Sequence, residues 1–402
     1  MSAQKRIRKR TIIPWLIGIF FWLLFICWNY YNPSPETVEF YYSCGLYRAI
    51  VMIATLLHQS IERSLALTLF PLFVLIFIIT WIGNWIYLRK KLNKSHFWGI
   101  FWLIKWSFIL SGVIAFSYLL LWGAGYQRKP IEEKLKLELS QPTEEEITHI
   151  LDELLQIITE NDTPYDERNV DESIKAIVKS MQKIVSEWDE VPIYLPPRVK
   201  KTPPGLFLLN GTSGMCVPLT VEPHVDGALP PASFVATSAH ELSHIAGYCG
   251  EAEASFVGYI AGLNADDKFA KYSVALDLYE KLASRLPKDL RDKYISLLPD
   301  RAKDDLKIEK EVAGKYRIRW LSNVSWKVYD KYLKSQGVKE GVKDYGRAIN
   351  LIVAGVRKGL INIGEITTDS NQPSIEENNS QIETRNVEIQ EIEPLEIDEN
   401  NK

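Results

Sequence analysis

Residues 233–247 read Ser-Phe-Val-Ala-Thr-Ser-Ala-His-Glu-Leu-Ser-His-Ile-Ala-Gly, which contains the pattern His-Glu-x-x-His. Pro230 and Pro231 stand at the head of this stretch, and proline is favoured in the first turn of a helix. Gly247 is typical of the position just after a helix. The sequence therefore predicts a helix over about 231–246, with the histidine pattern well inside its ends.

The two histidines of this pattern, His240 and His244, are four residues apart. Residues at that spacing share one face of a helix, so both imidazoles can bind one metal ion. Glu241 would then lie beside the metal, where its carboxylate can accept a proton from a bound water. The pattern predicts a catalytic zinc site, and the alternative is a surface helix with two unrelated histidines.

A catalytic zinc site needs a further protein ligand, because zinc typically takes three side chains and one water. Glu251 and Glu253 follow a short turn and begin the next apolar run. Either carboxylate could complete the site. The alternative is that both are solvated acids in the first turn of a helix, where the helix dipole favours negative charge.

The distribution of residues along the chain is more informative than the overall composition. The 402 residues are 47% hydrophobic, and the net charge is only -3. The first third is apolar with basic flanks, the middle is mixed and the end is acidic. No basic stripe with interleaved aromatic residues is present, so nucleic acid is not a predicted partner.

Three apolar runs, at about 12–31, 65–88 and 97–122, are long enough to span a bilayer as helices. Residues 32–64 are predicted as a loop that contains a short amphipathic piece from Cys44 to Leu57. Basic clusters at 5–10 and 89–94 predict a cytoplasmic N-terminus and a cytoplasmic second turn. Three crossings then place everything after Gly125 outside the cytoplasm.

The sequence predicts a membrane domain at 1–125, a mainly α-helical soluble domain at 126–365 and a disordered acidic tail at 366–402. Hydrophobic periodicity predicts helices in the soluble part at about 131–139, 144–158, 171–188, 251–264, 267–285, 288–298, 301–334 and 342–358. Strands are predicted at 206–209 and within 215–225. One of them could be an edge strand on which substrate backbone pairs; the alternative is a surface loop.

The four cysteines form no Cys-x-x-Cys zinc pattern. Cys249 is near the predicted metal site but lies in the turn after the helix. Free buried thiols are predicted, and a Cys216–Cys249 disulfide is the alternative if this part faces an oxidising compartment.

Several further motifs occur in a fixed order along the chain. They are a Tyr-rich first loop, Phe70-Pro71, Pro203-Pro204-Gly205, residues 214–222, His240 to Tyr259, Tyr272-Ser273 and the residues 341–345. In this order they resemble a bacterial membrane-protein family, domain of unknown function 3810, whose members look like zinc metallopeptidases. The resemblance covers most of residues 10–355 and implies a zincin-like, gluzincin-type fold.

The resemblance also bears on the third ligand. Related zinc peptidases use Glu-x-x-Ala-Asp, in which the Glu binds the metal and the Asp supports a histidine. Glu251 and Ser255 occupy these two places, which favours Glu251 over Glu253 as the ligand.

The predicted function is a membrane-anchored zinc peptidase, with Glu241 as general base and a peptide or protein as substrate. Tyr272 and His224 are candidates for the donor that stabilises the oxyanion. The alternative is a zinc-binding membrane sensor or scaffold without catalysis. An intramembrane protease is disfavoured, because residues 233–246 are too short and too polar to span a bilayer.

Overall fold

A computed structural model describes residues 3–58, 61–90 and 96–361. The predicted acidic tail lies outside the described residues, as does most of the basic turn at 89–94. The N-terminal elements are α1 (Ala3–Tyr31), α2 (Pro35–Thr37), a π-helical stretch (Val38–Leu46), α3 (Tyr47–His58), α4 (Leu65–Lys90) and α5 (His96–Leu121). The fold is mainly helical, as predicted.

The three predicted spans form the long helices α1, α4 and α5. Their apolar side chains mostly face outward, and no residue of α4 is buried. α1 packs along α5, where Gly112 gives room for an indole: a Cβ at this position would lie 2.7 Å from Cδ1 of Trp22. Helices with apolar side chains on their outer surface are suited to lipid, because every backbone group is satisfied internally.

The predicted loop over 32–64 is wrong for most of its length, since Pro35–His58 is continuously helical. Ser34 caps its start: the Ser34 hydroxyl accepts a hydrogen bond from the Thr37 amide. In the described part of the chain, four helical segments are therefore long and apolar enough to cross a membrane: Ile12–Tyr31, Pro35–His58, Leu65–Lys90 and His96–Leu121.

One face of the Pro35–His58 helix is polar and contacts the chain beyond residue 126. These contacts are Glu39 with Arg128, Arg48 with Asp189, Thr55 with the Tyr194 carbonyl and His58 with the Thr220 carbonyl. The other face is apolar and exposed, with Ile53, Leu56 and Leu57 each more than half accessible. The helix thus turns its polar side inward and its apolar side outward, the reverse of a helix on a soluble protein.

The start of α4 is bound to the sheet that precedes the histidine helix. The Glu222 carboxylate accepts hydrogen bonds from the Leu65 and Ala66 amides, both at 2.9 Å. Ser64 Oγ lies 2.7 Å from His224 Nε2 and accepts from the Leu67 amide. A carboxylate at a helix N-terminus satisfies amides that lack partners within the helix, so Glu222 and Ser64 together cap α4.

The remaining helices surround the histidine motif. They are α6 (Ile131–Lys134), α7 (Glu144–Glu160), α8 (Val170–Asp189), α9 (Pro231–Ile245), α10 (Glu251–Leu263), α11 (Lys268–Ala283), α12 (Lys288–Leu297), α13 (Asp300–Tyr316), α14 (Arg319–Ser335) and α15 (Tyr345–Arg357). The helix predicted over 131–139 is reduced to the single turn α6. Thr143 and Glu146 form a capping box at the start of α7.

A small sheet precedes α9. Within the described residues it has the order β1 (Lys200–Lys201), β3 (Glu222–Val225), β2 (Gly214–Val217), with β1 parallel and β2 antiparallel to β3. β2 is therefore an edge strand, and it packs on α9. The predicted strand region 215–225 is resolved into β2, a turn and β3.

The strand predicted at 206–209 is wrong, because these residues form a loop with a 3₁₀ turn at Leu208–Asn210. The Asp226 carboxylate accepts hydrogen bonds from the amides of Gly205, Phe207 and Leu208, which holds the loop without strand pairing. Gly205 has φ +83 and closes the turn in the left-handed region.

The single helix predicted over 301–334 is two helices, α13 and α14. The chain becomes extended at Arg317 and Ile318, and the Ile318 amide donates to the Leu209 carbonyl at 2.9 Å. This break redirects α14 toward the end of α5 and the histidine motif.

Candidate metal centre

α9 and α10 present the predicted metal ligands to each other. Gly247, with φ +96, ends the first helix in the left-handed region, and α10 begins at Glu251. Gly258 allows the two helices to approach closely, because a Cβ there would lie 3.1 Å from the Ala239 carbonyl oxygen. The short turn and the small residue together bring Glu251 to the two histidines.

His240, His244 and Glu251 converge on one point. Glu251 Oε2 lies 3.0 Å from His240 Nε2 and 3.6 Å from His244 Nε2. The three ligand atoms all lie within 4.8 Å of one another. Ligand atoms about 2.0–2.1 Å from a tetrahedral zinc are ~3.3 Å apart, and the two distances from Glu251 Oε2 are close to this value.

The second nitrogen of each histidine is also occupied. His244 Nδ1 donates to the Tyr248 carbonyl at 2.7 Å, which leaves Nε2 free to be a metal ligand. Ser255 Oγ lies 3.2 Å from His240 Nδ1. Ser255 occupies the place of the Asp in the Glu-x-x-Ala-Asp motif of related zinc peptidases, which supports a metal-binding histidine.

Glu253 lies on a different side of α10. Its Oε1 accepts a hydrogen bond from the Ile131 amide at 3.0 Å and lies 3.6 Å from Arg347 Nη2. The geometry thus separates the two alternatives: Glu251 faces the histidines, whereas Glu253 binds the chain that follows the last membrane helix.

Glu241 is 5% exposed, and its Oε2 has no hydrogen-bond partner among the described residues. Burial raises the pKa of this carboxyl to about 8 despite the nearby His244. β2 lies directly against it, because a Cβ at Gly214 would be 2.6 Å from Glu241 Oε1. A buried acid with an unused oxygen, placed beside a ligand cluster, is suited to proton transfer.

The histidines and Glu251 are electrostatically linked. Burial acts to lower the pKa of His244, but the Glu251 carboxylate outweighs it and raises this pKa to about 9. Burial acts to raise the pKa of Glu251, yet His244 and His240 hold it well below its ordinary value. In the absence of a metal, a protonated His244 and an ionised Glu251 therefore form an ion pair.

Tyr329 of α14 is a neighbour that sequence reasoning missed. Its hydroxyl donates a hydrogen bond to Glu251 Oε1, the oxygen that does not face the histidines. Trp122, one residue after α5, packs its ring 5.4 Å from the ring of His244. Both residues are far from the motif in sequence, and no local pattern marks them.

The two predicted oxyanion donors have other partners. Tyr272 is fully buried and donates to Asp305 at 2.6 Å, beside Arg168. His224 uses Nε2 with Ser64 and Nδ1 with the Glu222 carbonyl. Both side chains have a structural role in these contacts, and neither contacts His240, His244 or Glu251 in the described structure.

The four cysteines are free thiols, as predicted, so Cys216 and Cys249 are not bridged, but only Cys249 is buried. Cys249 is buried, and its thiol lies 3.5 Å from the Trp122 carbonyl. It contributes to the packing between the end of α5 and α10, outside the ligand cluster.

The family comparison agrees with the resemblance found in the sequence. The family model described as a protein of unknown function, DUF3810, matches residues 42–353, which is more than three quarters of the chain. The chain belongs to the DUF3810 family. The DUF3810 match includes β2, α9, α10 and α14, the elements that build the candidate centre. No curated protein and no solved structure matches the chain.

Proposed function

We propose that this DUF3810 protein is a membrane-anchored zinc metallopeptidase. The observation that carries the proposal is the convergence of His240, His244 and Glu251, with Glu241 Oε2 nearby and without a hydrogen-bond partner in the described part of the chain. A metal-binding scaffold would need the three ligands but not the additional buried carboxyl of Glu241, because burying a polar group without a hydrogen-bond partner costs free energy.

In this proposal each residue has a separate task. A bound zinc would polarise the scissile carbonyl and acidify the attacking water. Glu241 accepts the proton from that water and passes it to the leaving amine. Tyr329 holds Glu251 in orientation, and Ser255 and the Tyr248 carbonyl hold the two imidazoles. The outer edge of β2 offers backbone groups with which an extended peptide can pair.

The direct test uses the full chain purified in nanodiscs. We expect about one zinc per chain by elemental analysis, and cleavage of members of a broad peptide library. Cleavage should stop when the metal is removed by a chelator and return when zinc is added back. A metal-free chain that also fails to take up added zinc would contradict the proposal at its first step.

Zinc binding should release protons. At pH 7 the metal-free site holds a proton on His244, whose pKa is about 9, and one on Glu241, whose pKa is about 8. A metal displaces the first proton and favours loss of the second. We therefore expect the apparent zinc affinity to fall at least tenfold per pH unit below about pH 8. Calorimetry in buffers of different ionisation enthalpy measures the proton count, and an affinity independent of pH would contradict this assignment.

We also propose that only three of the apolar segments cross the bilayer. The Pro35–His58 helix contacts the soluble half near both ends, from Glu39 with Arg128 to His58 with the Thr220 carbonyl. If the helix crossed the membrane, these two contacts would lie near opposite surfaces of the bilayer. The soluble half, which makes both contacts, would then have to extend through the bilayer. The helix instead lies along the surface with its apolar face toward lipid, so the metal centre and the N-terminus are on opposite sides.

This topology can be tested in intact spheroplasts. We expect added protease to cleave the chain after residue 126, while a tag on the cytoplasmic N-terminus stays protected. Permeabilised cells are the control in which both ends are cleaved. Protection of the whole region beyond 126 would mean that Pro35–His58 crosses, which makes four spans.

A further inference from the structure

α14 has an exposed apolar stripe that the proposed chemistry does not use. Trp320, Val324 and Val328 follow one another at intervals of four residues, and their side chains are 68%, 52% and 62% exposed. At this spacing they lie along one side of the helix. Such a stripe of large apolar side chains indicates an interaction surface.

The opposite face of α14 is fixed to the rest of the chain. Ser322 and Leu333 are buried there, and the Ile318 amide that precedes the helix bonds to the Leu209 carbonyl. Gly211 fits against Ser322, since a Cβ at Gly211 would lie 2.7 Å from the Ser322 hydroxyl. Packing of this opposite face therefore fixes the orientation of α14 and, with it, the direction in which the apolar stripe points.

The C-terminal end of α14 is bound to a membrane helix. The Tyr332 hydroxyl lies 2.6 Å from the Tyr118 hydroxyl, three residues before α5 ends. Tyr332 also packs against Tyr126, just beyond that end. On a helical projection Tyr332 lies about 40° from Val328, so the stripe and the contact with α5 are on the same side of α14.

Basic residues lie beside the stripe and at its C-terminal end. They are Lys327, Lys331 and Lys334, and all three are exposed. Lys334 pairs with Asp330, the acidic residue of this helix. A helix with tryptophan and aliphatic residues on one face and lysines along its border is typical of helices that lie in the lipid headgroup region.

We propose that α14 lies on the bilayer surface, with Trp320, Val324 and Val328 inserted among the lipids where α5 leaves the membrane. The Pro35–His58 helix has a comparable exposed apolar face and contacts the same turn after α5, Gly123–Gln127. The exit of α5 is thus flanked by two helices whose apolar sides lack protein cover in the described structure. A bilayer covers both faces at once.

This contact places the metal centre next to lipid, because Tyr329 of the same helix bonds to Glu251. The consequence for substrates rests on the proposed function: the peptidase would act on polypeptide segments close to the membrane surface. The contact between α14 and lipid does not depend on metal or turnover, so it can be tested separately.

The test is photo-crosslinking of the full chain in nanodiscs that contain phosphatidylglycerol and phosphatidylcholine. Benzoylphenylalanine replaces Val324 or Val328, and Ile308 on α13, which is also exposed, is the matched control position. We expect intact-mass spectra to show phospholipid adducts at positions 324 and 328, at least fivefold more than at 308. Circular dichroism and the thermal midpoint of unfolding confirm that each variant is folded.

Two results would overturn the proposal. Lipid adducts no more frequent at 324 and 328 than at 308 would mean that the stripe faces water. Adducts with the mass of two chains would mean that the stripe binds a second copy of the protein.

Discussion

Replacing Glu241 by glutamine is expected to leave zinc bound and to lower turnover by ~10²–10⁴-fold, the range typical of a lost general base. The three ligand residues are unchanged in this variant. The metal-free carboxyl has a pKa of about 8, so it is largely protonated at pH 7, and glutamine matches that neutral form in size. The substitution should therefore remove the base without a cost to folding.

Glu309→Gln is the matched control for this experiment. Glu309 is a half-buried acid that contacts α9, where its carboxylate accepts a hydrogen bond from the Ser233 hydroxyl at 2.8 Å. It is distant from His240 and His244 in sequence and makes no contact with them in the described structure. Its variant should keep both zinc and activity. If the Glu241→Gln variant loses zinc, Glu241 is needed for metal binding, and its assignment as the general base is wrong. If the wild type binds zinc but cleaves no peptide, the sensor alternative is favoured.

Replacing Glu251 by glutamine should weaken zinc binding at least ~10-fold, because an anionic ligand becomes a neutral amide. In the metal-free state the same change removes the partner of the protonated His244, so the pKa of His244 should fall from about 9. Competition with a chromophoric chelator measures the affinity, and the histidine pKa is accessible by NMR.

Glu253→Gln provides the comparison, since it is a buried acid two residues away on the same helix. It should lower the thermal midpoint of unfolding, because Glu253 accepts from the Ile131 amide and lies near Arg347. Its zinc affinity should stay within about twofold of the wild type. A larger loss of zinc affinity in Glu253→Gln than in Glu251→Gln would show that the ligand assignment is wrong.

The sequence was most informative where structure depends on neighbours along the chain. The four-residue spacing of His240 and His244, the prolines at the start of α9 and Gly247 at its end were sufficient to place both histidines on one helix face. The short turn to Glu251 also follows from local sequence. Local sequence does not distinguish Glu251 from Glu253, because both lie in the first turn of the same helix. The choice required the alignment with the Glu-x-x-Ala-Asp motif of related zinc peptidases.

The errors occurred where distant contacts override local pattern. The apolar run at 206–209 is typical of a strand, but the Asp226 carboxylate binds its amides and makes a loop. The break at Ile318 has no proline or adjacent glycine, and it depends on a hydrogen bond to Leu209. Tyr329 reaches Glu251 only because of that break.

The Pro35–His58 helix was missed for a different reason. Its charged residues Glu39 and Arg48 interrupt the apolar run, as they would in a loop. In the structure these charges are satisfied by Arg128 and Asp189, which lie far away in sequence. The helix has one polar face, which contacts the protein, and one apolar face, which is exposed. This alternation is the same as that of an amphipathic helix in a soluble protein, so the sequence does not distinguish the two.

The contacts between the N-terminal helices and the chain beyond residue 126 have a practical consequence for truncating the protein at the predicted domain boundary. A fragment that starts at residue 126 would lose Glu39, Arg48 and Ser64, and so would leave Arg128, Asp189 and His224 without these buried partners. Removing one member of a buried ion pair commonly costs about 3–5 kcal/mol. Asp189 would keep Arg128 and Lys134 as neighbours, so we expect the fragment to be less stable than the full chain and any loss of activity in it to be ambiguous. The apolar N-terminal helices and the part that holds His240, His244 and Glu251 should therefore be produced and assayed as one molecule.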